Sequence, residues 1–186
     1  MRLIRKPWIW VLRFRKRKGY GVHSPSAFSF IRGVVLESWP YYAYGELARL
    51  HPWWVRWGGL YPMKCRRLLF RLANFAEPET VRLVTEDQVA KEYIRSAVPK
   101  AKNTDSGTAD FVFVGRSHLE EAPALAATMP ERGLLVCEGI HKGETELTLW
   151  HDIQESSHTG ITFDLYTYGV VFCDHRRHKQ HYKVNF

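Results

Sequence analysis

Two runs of apolar residues with no polar interruption, 111–114 and 134–137, do most to set the fold of this 186-residue chain. A strand with one wet face alternates apolar and polar side chains, whereas a continuous apolar run belongs to a strand covered on both faces. Each run closes on a glycine within two residues, Gly115 and Gly139, and each is followed by a segment with helical spacing, over 120–128 and 144–155. Upstream, 81–84 reads as a short strand and 86–98 as a helix with acidic residues in its first turn, where the helix dipole favours them. Residues 100–109, KAKNTDSGTA, read as a polar loop. Past Pro78 the pattern is therefore strand and helix in alternation, which predicts an α/β fold with a largely parallel sheet. The β-rich segments 161–174 and 180–186 suit antiparallel strands at the end of that sheet.

Before Pro78 the chain reads differently. Phe28, Ile31, Val34 and Val35 recur at near-helical spacing behind Ser24 and Ser26, either of which can cap a short buried helix. Residues 39–60 contain two prolines, a Gly-Gly pair and many aromatics, so no single regular element spans them. Over 63–76 a helix is predicted with Leu68, Leu69, Leu72, Ala73 and Phe75 as its apolar stripe, Arg66, Arg67 and Arg71 outward, and Pro78 as its stop. The expected organisation is one structural unit: a basic, aromatic-rich helical extension, 1–78, packed on a shortened α/β domain, 79–186.

Charge follows that division. Residues 1–72 hold 15 basic and 2 acidic side chains, whereas 73–186 hold 12 basic and 17 acidic, within a total of +8. Eight of the positives fall in the first twenty residues, among Trp8, Trp10, Phe14 and Tyr20. Such a segment is suited to an anionic surface, membrane or nucleic acid, with Arg13, Arg15, Lys16, Arg17 and Lys18 as its densest cluster. It equally suits a terminal helix whose aromatic face docks on the domain while its basic face stays wet. No apolar run approaches the ~20 residues of a membrane span, and none near the start suits a secretory leader. Three scattered cysteines fit reduced thiols better than a disulfide framework, so the cytoplasm is the expected compartment.

Ligands of open α/β sheets bind beyond the carboxyl ends of the strands. The residues at those ends are Thr85, Glu86 and Asp87, then Gly115, Arg116, Ser117 and His118, then Glu138, Gly139, Ile140 and His141. Carboxylates and imidazoles there are candidates for acid–base work, provided they converge. Cys173, His175, His178 and His181 have zinc-ligand chemistry, but their spacing matches no zinc signature and Arg176, Arg177 and Lys179 would repel a cation. They are read as a solvated turn, and no metal is expected. Phosphate-loop, dinucleotide, zinc-protease and nucleophile-elbow motifs are absent from the sequence.

The segment RKGYGVHSPSAFSFI, followed by YYAY, resembles the N-terminal extension of a group of bacterial class I S-adenosylmethionine-dependent methyltransferase-like proteins, in which a GxHSPF segment precedes the sheet. Later segments are similar too, with His23, Ser24, Pro25, Trp150, Asp164 and Gly169 as the most specific points. The resemblance implies a truncated Rossmann-like sheet closed by an antiparallel hairpin. If the chain is active, it implies S-adenosylmethionine as cofactor, methyl transfer to a small nucleophile, Thr85, Glu86 and Gly115 near the cofactor, and His118, Glu138 or His141 as the acid–base group. His23, Tyr41 and Tyr42 are candidates for pocket lining.

The same comparison implies loss. The family's first strand runs into a glycine-rich turn, and this one runs into VTEDQ without a glycine. The family inserts two strand–helix units before the strand that begins near Asp110, the first bearing the ribose-binding acid. The 24 residues of 86–109 suffice for one helix and a loop. Gly115 and Gly139 stand where relatives carry acids. The expectation is a catalytically degenerate domain with a binding or regulatory role. Its rivals are an active methyltransferase, a basic adaptor acting through residues 1–20, and a homodimer formed through the aromatic stretch 41–57.

Overall fold

The computed structural model describes residues 22, 24–53, 60–174 and 178–186. Over these the expected α/β fold is observed: a mostly parallel, Rossmann-like sheet with helices on both faces. The strands are β1 (Thr80–Val84), β2 (Lys102–Asn103), β3 (Phe111–Val114), β4 (Gly133–Glu138), β5 (Ile161–Asp164), β6 (Tyr168–Cys173) and β7 (Gln180–Lys183), in the order β2-β1-β3-β4-β6-β5-β7. Only β6 runs against its neighbours.

Side chains alternate across the sheet as strand geometry requires. Phe111, Phe113, Leu134, Val136, Phe163 and Val170 face one layer, made by α1 (Pro25–Phe30), α3 (Leu60–Ala76) and α4 (Gln88–Ala97). Val112, Val114, Leu135, Cys137 and Val171 face the other, made by α5 (Ala122–Thr128) and α6 (Glu144–Glu155). A third, smaller cluster joins Tyr44 and Leu47 of α2 (Tyr44–Leu47) to Phe70 and Tyr93 on the far side of α3 and α4.

Several expectations are corrected. Helix α1 is capped by Ser24, which accepts from Ala27 N at 3.4 Å, and it buries Ala27 and Phe30 while Phe28 is 43% exposed. It passes directly into a π-helical segment, Ile31–Val35. Helix α4 starts two residues late because Asp87 is its cap, its Oδ1 accepting from Ala90 N at 2.9 Å. The 100–109 loop contains β2, drawn to the open edge of β1, where Lys102 N donates to Glu79 O at 2.8 Å. Strand β7 pairs parallel to β5, not antiparallel. With β6 flanked by β4 and β5, the last segment can add only at the outer side of β5, and it enters from the edge where β6 ends.

The arginines of α3 do not face outward. Arg71 is 5% exposed and donates to Val34 O at 2.7 Å and to Val35 O at 3.0 Å, satisfying carbonyls at the end of the π segment. Arg67 lies over the Tyr44 ring, and Arg66 turns to the sheet, while Phe75 is 48% exposed. A third layer built by α2 covers the face that helical periodicity assigned to solvent. No helix among the described residues is long and apolar enough to cross a membrane, and the three cysteines are buried and not joined by a disulfide.

Candidate functional site at the carboxyl edge of the sheet

Strands β1, β3, β4 and β5 all end at one edge. From β1 the chain goes outward to β2 and then returns to β3 on the other side, so the crevice between β1 and β3 is the topological switch point. Thr85 and Gly115 meet there. A Cβ on Gly115 would stand 2.4 Å from Thr85 Oγ1, so the threonine side chain fills the crevice and only glycine fits opposite it. Thr85 Oγ1 also accepts from Asp87 N at 3.2 Å. Glu86 is exposed.

Arg66 lies across the neighbouring strand ends. Its Nη1 donates to Glu138 Oε1 at 3.1 Å and to the Tyr168 hydroxyl at 2.8 Å, and its Nη2 donates to Asp87 Oδ2. One guanidinium thus ties α3 to the ends of β1, β4 and β6. Burial works against the Arg66 charge, but Tyr168, Glu138 and Asp87 outweigh it, and its pKa is raised. Burial also lifts the Tyr168 hydroxyl well above its usual value, against the pull of Arg66. Arg116 adds a second, looser contact, 3.8 Å from Glu138 Oε1.

His141 forms a separate pair. Its Nε2 is 2.8 Å from Asp164 Oδ2, and its ring stacks on Tyr166 at 4.9 Å and 15°. Asp164 is 1% exposed, and its Oδ1 accepts from Tyr166 N at 2.8 Å, which holds the tight turn where Tyr166 takes φ +70°. Behind this pair Trp150 packs so closely on Gly169 that a Cβ there would lie 2.4 Å from the indole. His118 meets neither group: it pairs with Glu121 at 3.0 Å on the 3-10 turn after β3.

The three acid–base candidates therefore have three different partners: Arg66 for Glu138, Asp164 for His141 and Glu121 for His118. Tyr41 lies elsewhere, packed on Tyr44 and Phe70 and donating to Glu37 at 2.8 Å; burial and that bond push its hydroxyl up to about 12. Tyr42 is 83% exposed and reaches Ser96 O at 3.5 Å. Arg13, Arg15, Lys16, Arg17, Lys18 and His23 lie outside the described residues, as does His175 of the Cys/His set. Cys173 contacts Met129 Sδ at 3.7 Å, and His181 meets Thr162 Oγ1 at 2.8 Å.

Sequence reasoning missed Arg66, Asp87 as its partner, and Tyr168. One signal was present: Arg66 stands three and seven residues before Leu69 and Ala73, on the buried stripe itself. An arginine there must find acids inside.

No protein-family model matches the chain, and no curated protein does. Among solved structures it is similar in part to selenomethionyl Haemonchus contortus phosphoethanolamine N-methyltransferase 2 in complex with S-adenosyl-L-methionine, at 10% identity and a TM-score of 0.35. The likeness covers 45% of this chain and 27% of that one.

Proposed function

We propose that this chain is a class I methyltransferase-like domain whose ligand edge has been closed from within, leaving it a binding or regulatory role in place of methyl transfer. The observation that carries this reading is Arg66. Its guanidinium already engages Glu138 and Asp87, the carboxylates at the ends of β4 and β1. Neither carboxylate can then take the ammonium or a ribose hydroxyl of S-adenosylmethionine without giving up an existing ion pair.

Two further features support it. The turn after β1 has no glycine, and Thr85 fills the crevice that backbone and cofactor would share. Among the described residues only the two-residue β2 stands outside β1, and neither Lys102 nor Asn103 is an acid that could hold a ribose. The residues present do not fit the cofactor.

Calorimetric titration of the whole chain with S-adenosylmethionine and S-adenosylhomocysteine tests the reading. No heat up to millimolar ligand is expected; one-to-one binding at micromolar ligand overturns it. A second reading, an active enzyme, draws on the His141–Asp164 pair, since a buried carboxylate orients an imidazole for proton transfer. It requires methyl transfer from labelled S-adenosylmethionine that is lost in His141→Asn; no transfer to any acceptor sinks it.

A further inference from the structure

At the opposite edge of the sheet lies a cavity of about 400 Å³, between α1, the end of α3 and the amino ends of β4 and β5. Phe30, Phe75, Phe163 and Phe172 line it, together with Leu134 and Ile161. These rings form one cluster: the Phe30 centroid is 5.3 Å from Phe75, 4.7 Å from Phe163 and 5.0 Å from Phe172. A largely apolar cavity of this size with a small number of polar side chains, here Ser26, Arg132 and Asp174, is the usual form of a small-molecule site.

The polar group that distinguishes it is Arg132. Its side chain lines the cavity, is exposed, and is in none of the ion pairs among the described residues. Asp174, the other charged side chain of the wall, is already engaged. Arg132 also holds φ +71°, in the turn where Gly133 N donates to Pro130 O at 2.9 Å. That backbone region suits glycine and disfavours a residue that carries a Cβ. An unpaired guanidinium kept in an unfavourable conformation at the rim of an aromatic cavity is complementary to an anion with a flat apolar body.

We propose that this cavity binds a small aromatic carboxylate, its rings among Phe30, Phe75, Phe163 and Phe172 and its carboxylate on Arg132. It shares no residue with the carboxyl edge, so it stands or falls apart from the closed-edge reading.

Calorimetry at low salt with 2-naphthoate and the neutral 2-naphthylmethanol tests it on the whole chain. The acid is expected to bind one-to-one and at least about tenfold tighter than the alcohol, as a charge-assisted contact at a partly exposed site allows. Arg132→Gly removes the cation while suiting the backbone, and should reduce the acid to the affinity of the alcohol without changing the alcohol. Equal affinity of acid and alcohol, a preference that survives Arg132→Gly, or no binding by either compound overturns the proposal. So does acid binding that vanishes when Arg13, Arg15, Lys16, Arg17 and Lys18 are neutralised but survives in Arg132→Gly, because the anion would then belong to the N-terminal cluster.

Discussion

Removing Arg66 strands a buried charge. Glu138 is 5% exposed, and deleting its partner leaves a carboxylate in the interior with only the distant Arg116. Breaking a buried pair this way costs about 3–5 kcal/mol. Arg66→Met should fall at the lower end of that range, since Asp87 keeps a third of its side chain in water. Arg66→Met with Glu138→Gln should regain part of the loss, because no charge is then stranded. Urea unfolding of the three proteins measures both effects, and a double variant no better than Arg66→Met contradicts the ionic account.

Two histidines set a pH dependence at the same scale. His51, hydrogen-bonded to Tyr93 at 3.1 Å, is lowered by burial and by Arg66 and Arg67, with Asp87 opposing. His181 is lowered chiefly by burial. Both take up protons more readily unfolded than folded, so their contribution is present above about pH 6.5 and lost as pH falls through their folded values. The urea midpoint should drop between pH 7.5 and 5.5, and the slope should flatten in His51→Gln with His181→Gln.

At the scale of elements, close approach of strand and helix decides which glycines tolerate a side chain. Gly169 of β6 lies under the Trp150 ring of α6, and Gly169→Ala forces a methyl into that contact at a cost of about 1–3 kcal/mol. Gly45 in α2 has nothing within 4 Å of a built Cβ, so Gly45→Ala should stabilise by about 0.5–1 kcal/mol. Thermal unfolding of the pair, read against wild type, separates packing from backbone entropy. The same contrast explains what was legible in the sequence. Strands β3 and β4 were plain because both faces are apolar, and α6 and α3 because their periodicity is long. Strand β2 was not, since two exposed polar residues carry no pattern and owe their pairing to the open edge of β1. The direction of β7 was hidden too, because a sequence does not say which side of a hairpin remains free. Of the site, Glu138 and His141 could be found by their place after β4. Arg66 could not be assigned a partner, since Asp87, Glu138 and Tyr168 lie 21, 72 and 102 residues away.

Over the whole molecule, charge is the dominant asymmetry. The basic first segment and the net acidic remainder give the chain a strong electrical polarity. If residues 1–20 meet anionic surfaces, co-sedimentation with phosphatidylserine vesicles or binding to RNA should be strong at low salt and fall steeply as salt rises. Neutralising Arg13, Arg15, Lys16, Arg17 and Lys18 should abolish it; unchanged binding at low salt removes the adaptor reading.

Helix α3 reaches both ends of the sheet. Arg66 stands in the ionic cluster at one edge and Phe75 in the aromatic cavity at the other, nine residues and about 14 Å apart along a single axis. A continuous helix packed on a dense core moves as one body, not as two independent ends. The molecule is therefore built like a beam clamped at one support by charge and resting at the other on rings, and any load placed on the soft support is carried to the clamp.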